Sequence, residues 1–280
     1  MGYARTNGTW RHQDRTAVFV GDLIDRGPEQ LRTVDIVRRM VDDGHARVAM
    51  GNHELNAIAF HTPDPEHPGE FMRRHTQTNL GQHQRFLDEV GDRRAMHDEL
   101  IAWFHTLPLW LDLGPMRVVH ACWDDDAMAV VRPALDADHR LPTEHVVSAT
   151  RKGTALYRAV ETVLKGREHA LPGDVSFLDK EGTLRREVRV AWWRSGRVPL
   201  RDAAVVSPDV RAKLPEIELE LPNWDVTACP VFFGHYWFTG QPTPVAPNAA
   251  CLDYSVARRG RLTAYRWDGE ALSDRGFHQA

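Results

Sequence analysis

Two short segments of the sequence contain the side chains best suited to chemistry. Residues 21–28 read GDLIDRGP, and residues 51–54 read GNHE. Aspartate and asparagine offer oxygen ligands and histidine offers an imidazole nitrogen, so together they suit a hard or borderline divalent cation. Arg26 adds a planar guanidinium that matches the oxygens of a phosphate group. The two segments therefore predict a site that binds a divalent cation and a phosphate.

Each segment follows a predicted β-strand. Residues 16–20 and 47–50 are short apolar runs, and each ends at a glycine. Between them, Pro28 opens a helix whose apolar residues recur at helical spacing: Val34, Val37 and Val41. The repeated order of strand, glycine turn and helix predicts an α/β layer fold.

The polar residues after these strands are expected to share one crevice. In α/β sheets, ligands bind outside the carboxyl ends of the strands. The residues placed there by the pattern are Asp22, Asp25, Arg26, Asn52 and His53. Glycine, aspartate and asparagine are also common turn residues, so either segment alone could be only a turn. Both together, each directly after a strand, favour the site.

The rest of the chain predicts one domain over residues 1–280, with a helical insertion near residues 61–107. Within the insertion, residues 80–90 and 92–105 have helical patterns. The second pattern contains an apolar stripe: Met96, Leu100, Trp103 and Phe104. Because loops and insertions on a rigid scaffold often select ligands, we expect this insertion to border the crevice.

The elements after the insertion are predicted from shorter patterns. They are a hairpin of residues 109–113 and 117–121, a helix over 153–165, loops and short strands over 166–228, and strands at 231–233, 249–252 and 262–267.

Composition excludes several classes of protein. The 280 residues are 42% hydrophobic and 26% charged, which is typical of a globular chain and not of a disordered one. The net charge of −4 argues against binding to nucleic acid or to an anionic membrane. No apolar run approaches the roughly 18 residues of a membrane span. Three cysteines without CxxC spacing predict no disulfide framework and a cytoplasmic location.

The motif GDLIDRG followed by GNHE resembles the calcineurin-like metallophosphoesterases. The nearest branch contains the phosphoprotein phosphatases and the bacterial symmetrical diadenosine tetraphosphatases. The resemblance implies a β-sandwich of mixed sheets flanked by helices, with a two-metal site at the strand ends. It also implies that two later histidines are metal ligands: His120 in the sequence VVHA, and His235 after the strand at 231–233. On their own, these two histidines would more often be structural.

The resemblance assigns a role to each candidate residue. Asp22 would bridge two metals, and the second metal would be completed by Asn52, His120 and His235. His53 would be the general acid, with Asp25 hydrogen-bonded to it. Arg26 would bind the phosphate oxygens, and Tyr236 would border the substrate. The implied reaction is in-line attack on phosphorus by a metal-activated hydroxide. The expected metal is manganese, with iron or zinc as alternatives.

The sequence departs from the family pattern before the first motif. The family's earlier Asp-x-His motif ligates the first metal, but residues 1–20 contain only His12 and Asp14, in the opposite order. We therefore expect a chain that begins one strand and one helix late, with only Asp22 at the first metal site. Two interpretations stay open. One is an enzyme with a mis-set start, and the other is a truncated or degenerate member that binds phosphate or a nucleotide with one metal and is weakly active or inactive.

Several other residues have a structural interpretation that is favoured over a functional one. The three aspartates at 124–126 are expected at a helix N-terminus rather than as replacement ligands. The pairs Arg73–Arg74 and Trp192–Trp193 are expected to be solvated and buried, respectively, and Cys122 is expected to pack in the core. The histidines of the insertion are expected to be solvated, because their spacing shows no ligand pattern: His61, His67, His75, His83, His97 and His105.

The motifs do not identify the substrate, because they handle only the phosphate. A phosphoprotein, a dinucleoside polyphosphate and a small phosphomonoester all fit the expected phosphoesterase, and no nucleic acid or membrane partner is expected.

Overall fold

The computed structural model describes residues 1–173, 175–178 and 182–280. Its α-helices are α1 (Gln30–Asp42), α2 (Asn52–His61), α3 (Gln77–Val90), α4 (Arg94–Phe104), α5 (Asp125–Val131), α6 (Thr143–Thr150), α7 (Ala155–Lys165), α8 (Leu200–Ala203) and α9 (Pro208–Arg211). Its strands are β1 (Ala4–Thr6), β2 (Thr9–Arg11), β3 (Ala17–Phe19), β4 (Ala46–Val48), β5 (Trp110–Asp112), β6 (Arg117–Val119), β7 (Glu168–Ala170), β8 (Phe177–Leu178), β9 (Leu184–Arg185), β10 (Glu187–Arg189), β11 (Gly196–Pro199), β12 (Glu218–Leu221), β13 (Val231–Phe233), β14 (Ala249–Cys251), β15 (Thr263–Tyr265) and β16 (Phe277–Gln279).

The central sheet has four strands in the order β14–β13–β6–β5. Strand β13 pairs in parallel with both β14 and β6, whereas β5 joins β6 in the antiparallel direction. The parallel pair β3–β4 lies beside this sheet. His120, directly after β6, contacts the carbonyl of Val20, directly after β3, and its own carbonyl accepts from the backbone of Gly234 after β13. The carboxyl ends of these parallel strands therefore meet at one edge.

Side chains of the sheet alternate between two faces. On β13, Val231 and Phe233 face the helices, whereas Phe232 faces the hairpin β15–β16. The ring of Phe232 lies 5.2 Å from that of Tyr265 on β15. One face thus packs against helices and the other against a second β layer. The predicted α/β fold, a β-sandwich of mixed sheets flanked by helices, is confirmed.

The region predicted as an insertion contains two helices, α3 and α4. Helix α3 begins after Thr76, whose hydroxyl accepts a hydrogen bond from the backbone N–H of Asn79, which is a common N-terminal cap. On α4, three of the four predicted apolar residues are buried, but Met96 is 36% exposed. The buried stripe therefore begins one turn later than the sequence predicted.

Of the two short helices between the hairpin and α7, the sequence predicted only the start of α5, and α6 was not predicted. Helix α5 has 7 residues and α6 has 8, so neither shows a long apolar repeat. The helix N-terminus expected at residues 124–126 is confirmed, because the carboxylate of Asp124 accepts from the backbone N–H of Ala127. Asp124 therefore caps a helix and also pairs with Arg167.

The described part of residues 166–228 forms short strands, as predicted from its weak periodicity. It also contains two short helices that were not predicted, α8 and α9. These elements surround a second apolar cluster that includes Val188, Leu200 and Leu219. The expected core positions of Trp192 and Trp193 are confirmed, since both are less than 9% exposed. The organisation as one domain stays a prediction. Among the residues that the structure describes, no helix is both long and apolar enough to cross a membrane.

Candidate metal centre and active site

The two motif segments touch through their glycines. Gly21 adopts φ 88°, a conformation that residues with a Cβ rarely take. A Cβ on Gly21 would collide with the backbone of Gly51, and a Cβ on Gly51 would collide with the backbone nitrogen of Asp22. Glycine at both positions therefore lets the loop after β3 lie directly against the start of α2.

Glu54 stabilises this contact through hydrogen bonds to both segments. Its side chain is fully buried, and its carboxylate accepts three backbone hydrogen bonds, from Gly51 at 2.8 Å, Asp22 at 2.9 Å and Leu23 at 2.7 Å. Gly51 directly precedes α2, the helix that contains Glu54, whereas Asp22 and Leu23 lie on the loop after β3. Burial, followed by the nearby Asp22 carboxylate, raises the pKa of Glu54, while the N–H donors oppose that shift. Sequence analysis gave Glu54 no role, although it is the last residue of GNHE.

Three candidate ligands converge at the sheet edge. One oxygen or nitrogen atom from each of Asp22, His120 and His235 lies within 4.8 Å of the others. The Nε2 of His120 is 3.3 Å from Oδ1 of Asp22 and 3.1 Å from Oδ1 of Asn52. The structure therefore brings together the four residues that the sequence singled out for one metal.

The donor atoms fit a divalent cation. The Nδ1 of His120 lies 2.6 Å from the carbonyl oxygen of Val20 and donates to it, so Nε2 faces Asp22 and Asn52. Metal-binding histidines are commonly held this way through their other ring nitrogen. Both ring nitrogens of His235 are buried and have no hydrogen-bond partner among the described residues. A buried imidazole without a partner is unfavourable unless a ligand such as a cation binds it.

Asp22 and the histidines of the crevice shift one another's pKa values. Burial opposes ionisation of Asp22, but His120, His53 and His235 outweigh it and lower the pKa of Asp22. Burial likewise opposes protonation of His120, yet Asp22 raises the pKa of His120 to about 9. Burial, with Arg189 and His120 adding to it, holds the pKa of His235 well below its usual value. The negative charge of Asp22 therefore favours a proton or a cation beside the imidazoles of His120 and His235.

His53 and Asp25 form the predicted hydrogen bond. The Nδ1 of His53 is 2.7 Å from Oδ2 of Asp25, and its Nε2 is 3.9 Å from Oδ2 of Asp22. Burial lowers the pKa of His53, but Asp22 and Asp25 together raise it above the usual value. An imidazole held in this way presents Nε2 toward the candidate metal centre.

His83 is a second partner of Asp25 that sequence analysis missed. Its Nδ1 lies 2.6 Å from Oδ1 of Asp25, and both side chains are only 3% exposed. The expectation that His83 is solvated was wrong, because α3 folds back over the loop after β3. Burial opposes ionisation of Asp25, but hydrogen bonds from His53 and His83 lower its pKa. No spacing rule in the sequence could have indicated this contact, since 58 residues separate the pair.

Strained backbone occurs at the same edge. Asp22, Asp25, His235 and Trp237 have φ between 56° and 74°, a region that non-glycine residues seldom occupy. Asp253, which follows β14, accepts from the backbone N–H of Trp237 at 2.9 Å and so anchors that loop. Four of the nine described non-glycine residues with positive φ lie at this edge, and such strain often occurs at functional sites, because the surrounding structure must hold it.

A cavity of about 340 Å³ opens beside Asp25. Its walls come from the loop after β3, from α3 and from the segment near the C-terminus, and its lining includes Arg26, Gln82 and Arg85. The guanidinium of Arg26 lies over the ring of Trp237, 5.1 Å from its centroid, and Arg258 lies 4.8 Å from the same centroid. The cavity therefore carries two arginines, and one of them packs over an aromatic ring outside the cavity lining.

The structure contradicts the positions expected for two other residues. Tyr236 is 8% exposed and packs edge-on against Trp193 and Phe233, so the structure places it in the core instead of on the substrate side. Arg73 is not solvated, because it donates to Asn56 at 3.0 Å and to Gln82 at 2.6 Å. Tyr236 packs outside the insertion, whereas Arg73 lies within it, and the sequence pattern revealed the partners of neither residue.

The expected packing role of Cys122 is confirmed. It is fully buried, and burial raises the pKa of its thiol well above the usual value. A thiol in that state is a poor nucleophile.

Comparison with known proteins agrees with this geometry. A family model described as calcineurin-like phosphoesterase matches residues 3–133. The chain is 24% identical to the symmetrical bis(5'-nucleosyl)-tetraphosphatase of Methylococcus capsulatus, over 90% of this chain and 81% of that one. It is 29% identical to the asymmetrical bis(5'-nucleosyl)-tetraphosphatase PrpE of Oceanobacillus iheyensis, over 43% of this chain and 46% of that one. The matched part thus spans less than half the length of the asymmetrical relative.

Similarity to solved structures is weak. A cold-active protein tyrosine phosphatase aligns over 98% of this chain and 70% of its own, with 13% identity and a TM-score of 0.45.

Glu54→Gln is expected to lower the free energy of unfolding by about 1–3 kcal/mol, because an amide group cannot accept at both ends and leaves a buried backbone N–H unpaired. Urea unfolding followed by circular dichroism measures the change. The matched control is Glu99→Gln, which removes an exposed ion pair with Arg38 and should change stability little. Equal stability of the two variants would contradict the role assigned to Glu54.

Binding of a divalent cation to the metal-free protein at pH 7.5 is expected to release about one proton. Without a cation the pKa of His120 is about 9, so its Nε2 is protonated at this pH and must lose the proton to bind. Titration calorimetry with Mn²⁺ in two buffers of different ionisation enthalpy counts the protons. His120→Asn should remove the release, and a wild-type value of zero would contradict the assignment of His120 as a ligand.

His83→Phe is expected to lower the free energy of unfolding by about 1–3 kcal/mol, because it keeps a ring but leaves one oxygen of buried Asp25 without its donor. The control is Gln84→Ala on the same helix, which removes only an exposed bond to Asp88. Urea unfolding of both variants gives the comparison. If His83→Phe were as stable as Gln84→Ala, the contact would be incidental.

Proposed function

We propose that this chain, which belongs to the calcineurin-like phosphoesterase family, is a metal-dependent hydrolase that acts on a dinucleoside polyphosphate. The observation that carries the proposal is the convergence of Asp22, His120 and His235 beside the His53–Asp25 pair. A metal site next to an oriented imidazole provides both a phosphate-binding centre and a proton donor.

Asp22, Asn52, His120 and His235 would hold the cation. Two imidazoles with oxygen ligands suit manganese, iron or zinc, and we propose manganese. When bound, the cation supplies Lewis-acid charge that stabilises negative charge on the phosphate oxygens. The hydrogen bond to the Val20 carbonyl fixes the orientation of the His120 ring before the cation binds.

His53 is proposed as the general acid. Its Nδ1–H is held by Asp25, so a proton on Nε2 points toward the crevice and can pass to the leaving oxygen of the substrate. The carboxylates of Asp22 and Asp25 favour the protonated imidazole, because they outweigh burial and raise the pKa of His53 above its usual value. His83 acts through Asp25, by holding the carboxylate that orients His53.

The cavity beside Asp25 supports a substrate with more than one phosphate. Arg26 and Arg85 line it, and each guanidinium can bind phosphate oxygens through two N–H groups. A phosphomonoester at the metal centre would leave this cavity unfilled, whereas a polyphosphate chain would continue into it. The names of the relatives in the comparison, which are bis(5'-nucleosyl)-tetraphosphatases, point the same way.

The proposal is tested by hydrolysis assays with Mn²⁺, comparing diadenosine tetraphosphate with an aryl phosphate. We expect a higher kcat/KM for the polyphosphate, and His53→Asn should lower kcat by roughly 10²–10⁴-fold without loss of bound metal. His145→Asn, a half-buried histidine on α6, is the control and should keep full activity. Binding of Mn²⁺ and phosphate without turnover of either substrate would instead favour a non-catalytic binding protein.

A further inference from the structure

We propose that His61, His97 and Asp98 form a second, separate site for a first-row transition cation such as Zn²⁺. One ligand atom of each residue lies within 4.8 Å of the other two. His61 is the last residue of α2, whereas His97 and Asp98 lie in the first half of α4. The site would therefore join two helices that are separated in the sequence by all of α3.

One pair of ligand atoms already lies near the separation found in a tetrahedral metal site. The Nε2 of His61 lies 3.6 Å from Oδ1 of Asp98, which is longer than a hydrogen bond. With metal–nitrogen bonds of about 2.0–2.1 Å, tetrahedral ligands are about 3.3 Å apart, so this pair already has nearly the required separation. The side chains of His61 and Asp98 are 44% and 64% exposed, so both can rotate to close the remaining distance.

His97 supplies the observation that points to a ligand. Its Nε2 is buried and has no hydrogen-bond partner in the described part of the chain. The ring packs against Phe86, with centroids 6.0 Å apart, and meets the ring of His61 edge-on at 5.2 Å.

The donor set selects the class of cation. Two imidazoles and one carboxylate suit zinc, nickel, copper or cobalt, whereas magnesium and calcium prefer oxygen ligands alone. Water would complete the coordination at the exposed side. The expectation that the histidines of the insertion form no metal site rested on their spacing in sequence, and two of them are now adjacent because α2 and α4 pack together.

The position of the site gives it a structural consequence. Helix α2 has 10 residues, so it is about 15 Å long, with Asn52 and His53 at one end and His61 at the other. A cation at His61 would attach the far end of this helix to α4. It would thereby restrain the element that carries two residues of the candidate active site, without contacting the substrate.

The test compares zinc stoichiometry in four proteins after equilibrium dialysis against micromolar Zn²⁺: wild type, His61→Ala, Asp98→Asn and His278→Ala. His61 and Asp98 are exposed, so these changes leave the core intact, and His278 is an exposed histidine far along the chain on β16. We expect the first two variants to bind one Zn²⁺ fewer than the wild type, or to bind that ion at least about a hundredfold more weakly. His278→Ala should match the wild type.

A thermal measurement gives an independent readout. Zn²⁺ at a hundredfold excess over its Kd should raise the Tm of the wild type by about 5 °C more than that of His97→Phe, which keeps the ring but removes the nitrogens. The crevice site is intact in every variant, so its contribution cancels. Equal stoichiometry and equal Tm shifts in all proteins would show that His61 and Asp98 form only a surface ion pair, and would overturn the proposal.

Discussion

The carboxylate of Glu54 holds two loops together, and the rest of the crevice depends on that contact. It accepts hydrogen bonds from Gly51, which directly precedes α2, and from Asp22 and Leu23 on the loop after β3. The glycines at 21 and 51 allow the backbones to come close enough for this to happen. Catalytic groups must be held to within about 0.5 Å, so Glu54 would position the proposed ligands Asp22 and Asn52 without being a ligand itself.

The insertion contributes to the active site as well as bordering it. Helix α3 supplies His83 to Asp25 and supplies Gln82 to Arg73, and the same helix forms one wall of the cavity beside Asp25. One oxygen of Asp25 contacts His53 and the other contacts His83, so the proposed catalytic pair is held by the scaffold on one side and by the insertion on the other. The packing of α3 is thus coupled to the orientation of the proposed general acid.

Much of the fold could be read from the sequence, because its long elements have strong periodic patterns. Helices α1, α3, α4 and α7 lie within two or three residues of the predicted segments, and the strands before both motifs are present. The sequence placed the start of α5 at residues 124–126 but gave no end for it, and α6 was missed, because seven or eight residues give too few turns for an apolar repeat. Met96 was misplaced because periodicity shows which face of a helix is apolar but not where the core ends.

The sequence by itself determined which residues meet at the sheet edge. Asp22, Asn52, His120 and His235 each follow a strand or begin the helix after one, and parallel strands end at the same edge whatever the packing around them. Only the tertiary structure decided the partners of Glu54, the contact of His83 with Asp25, and the burial of Tyr236. These depend on how helices and loops pack across long separations in the chain, and local spacing carries no information about such contacts. The same reason applies to His61 and His97, which become neighbours only when α2 and α4 lie side by side.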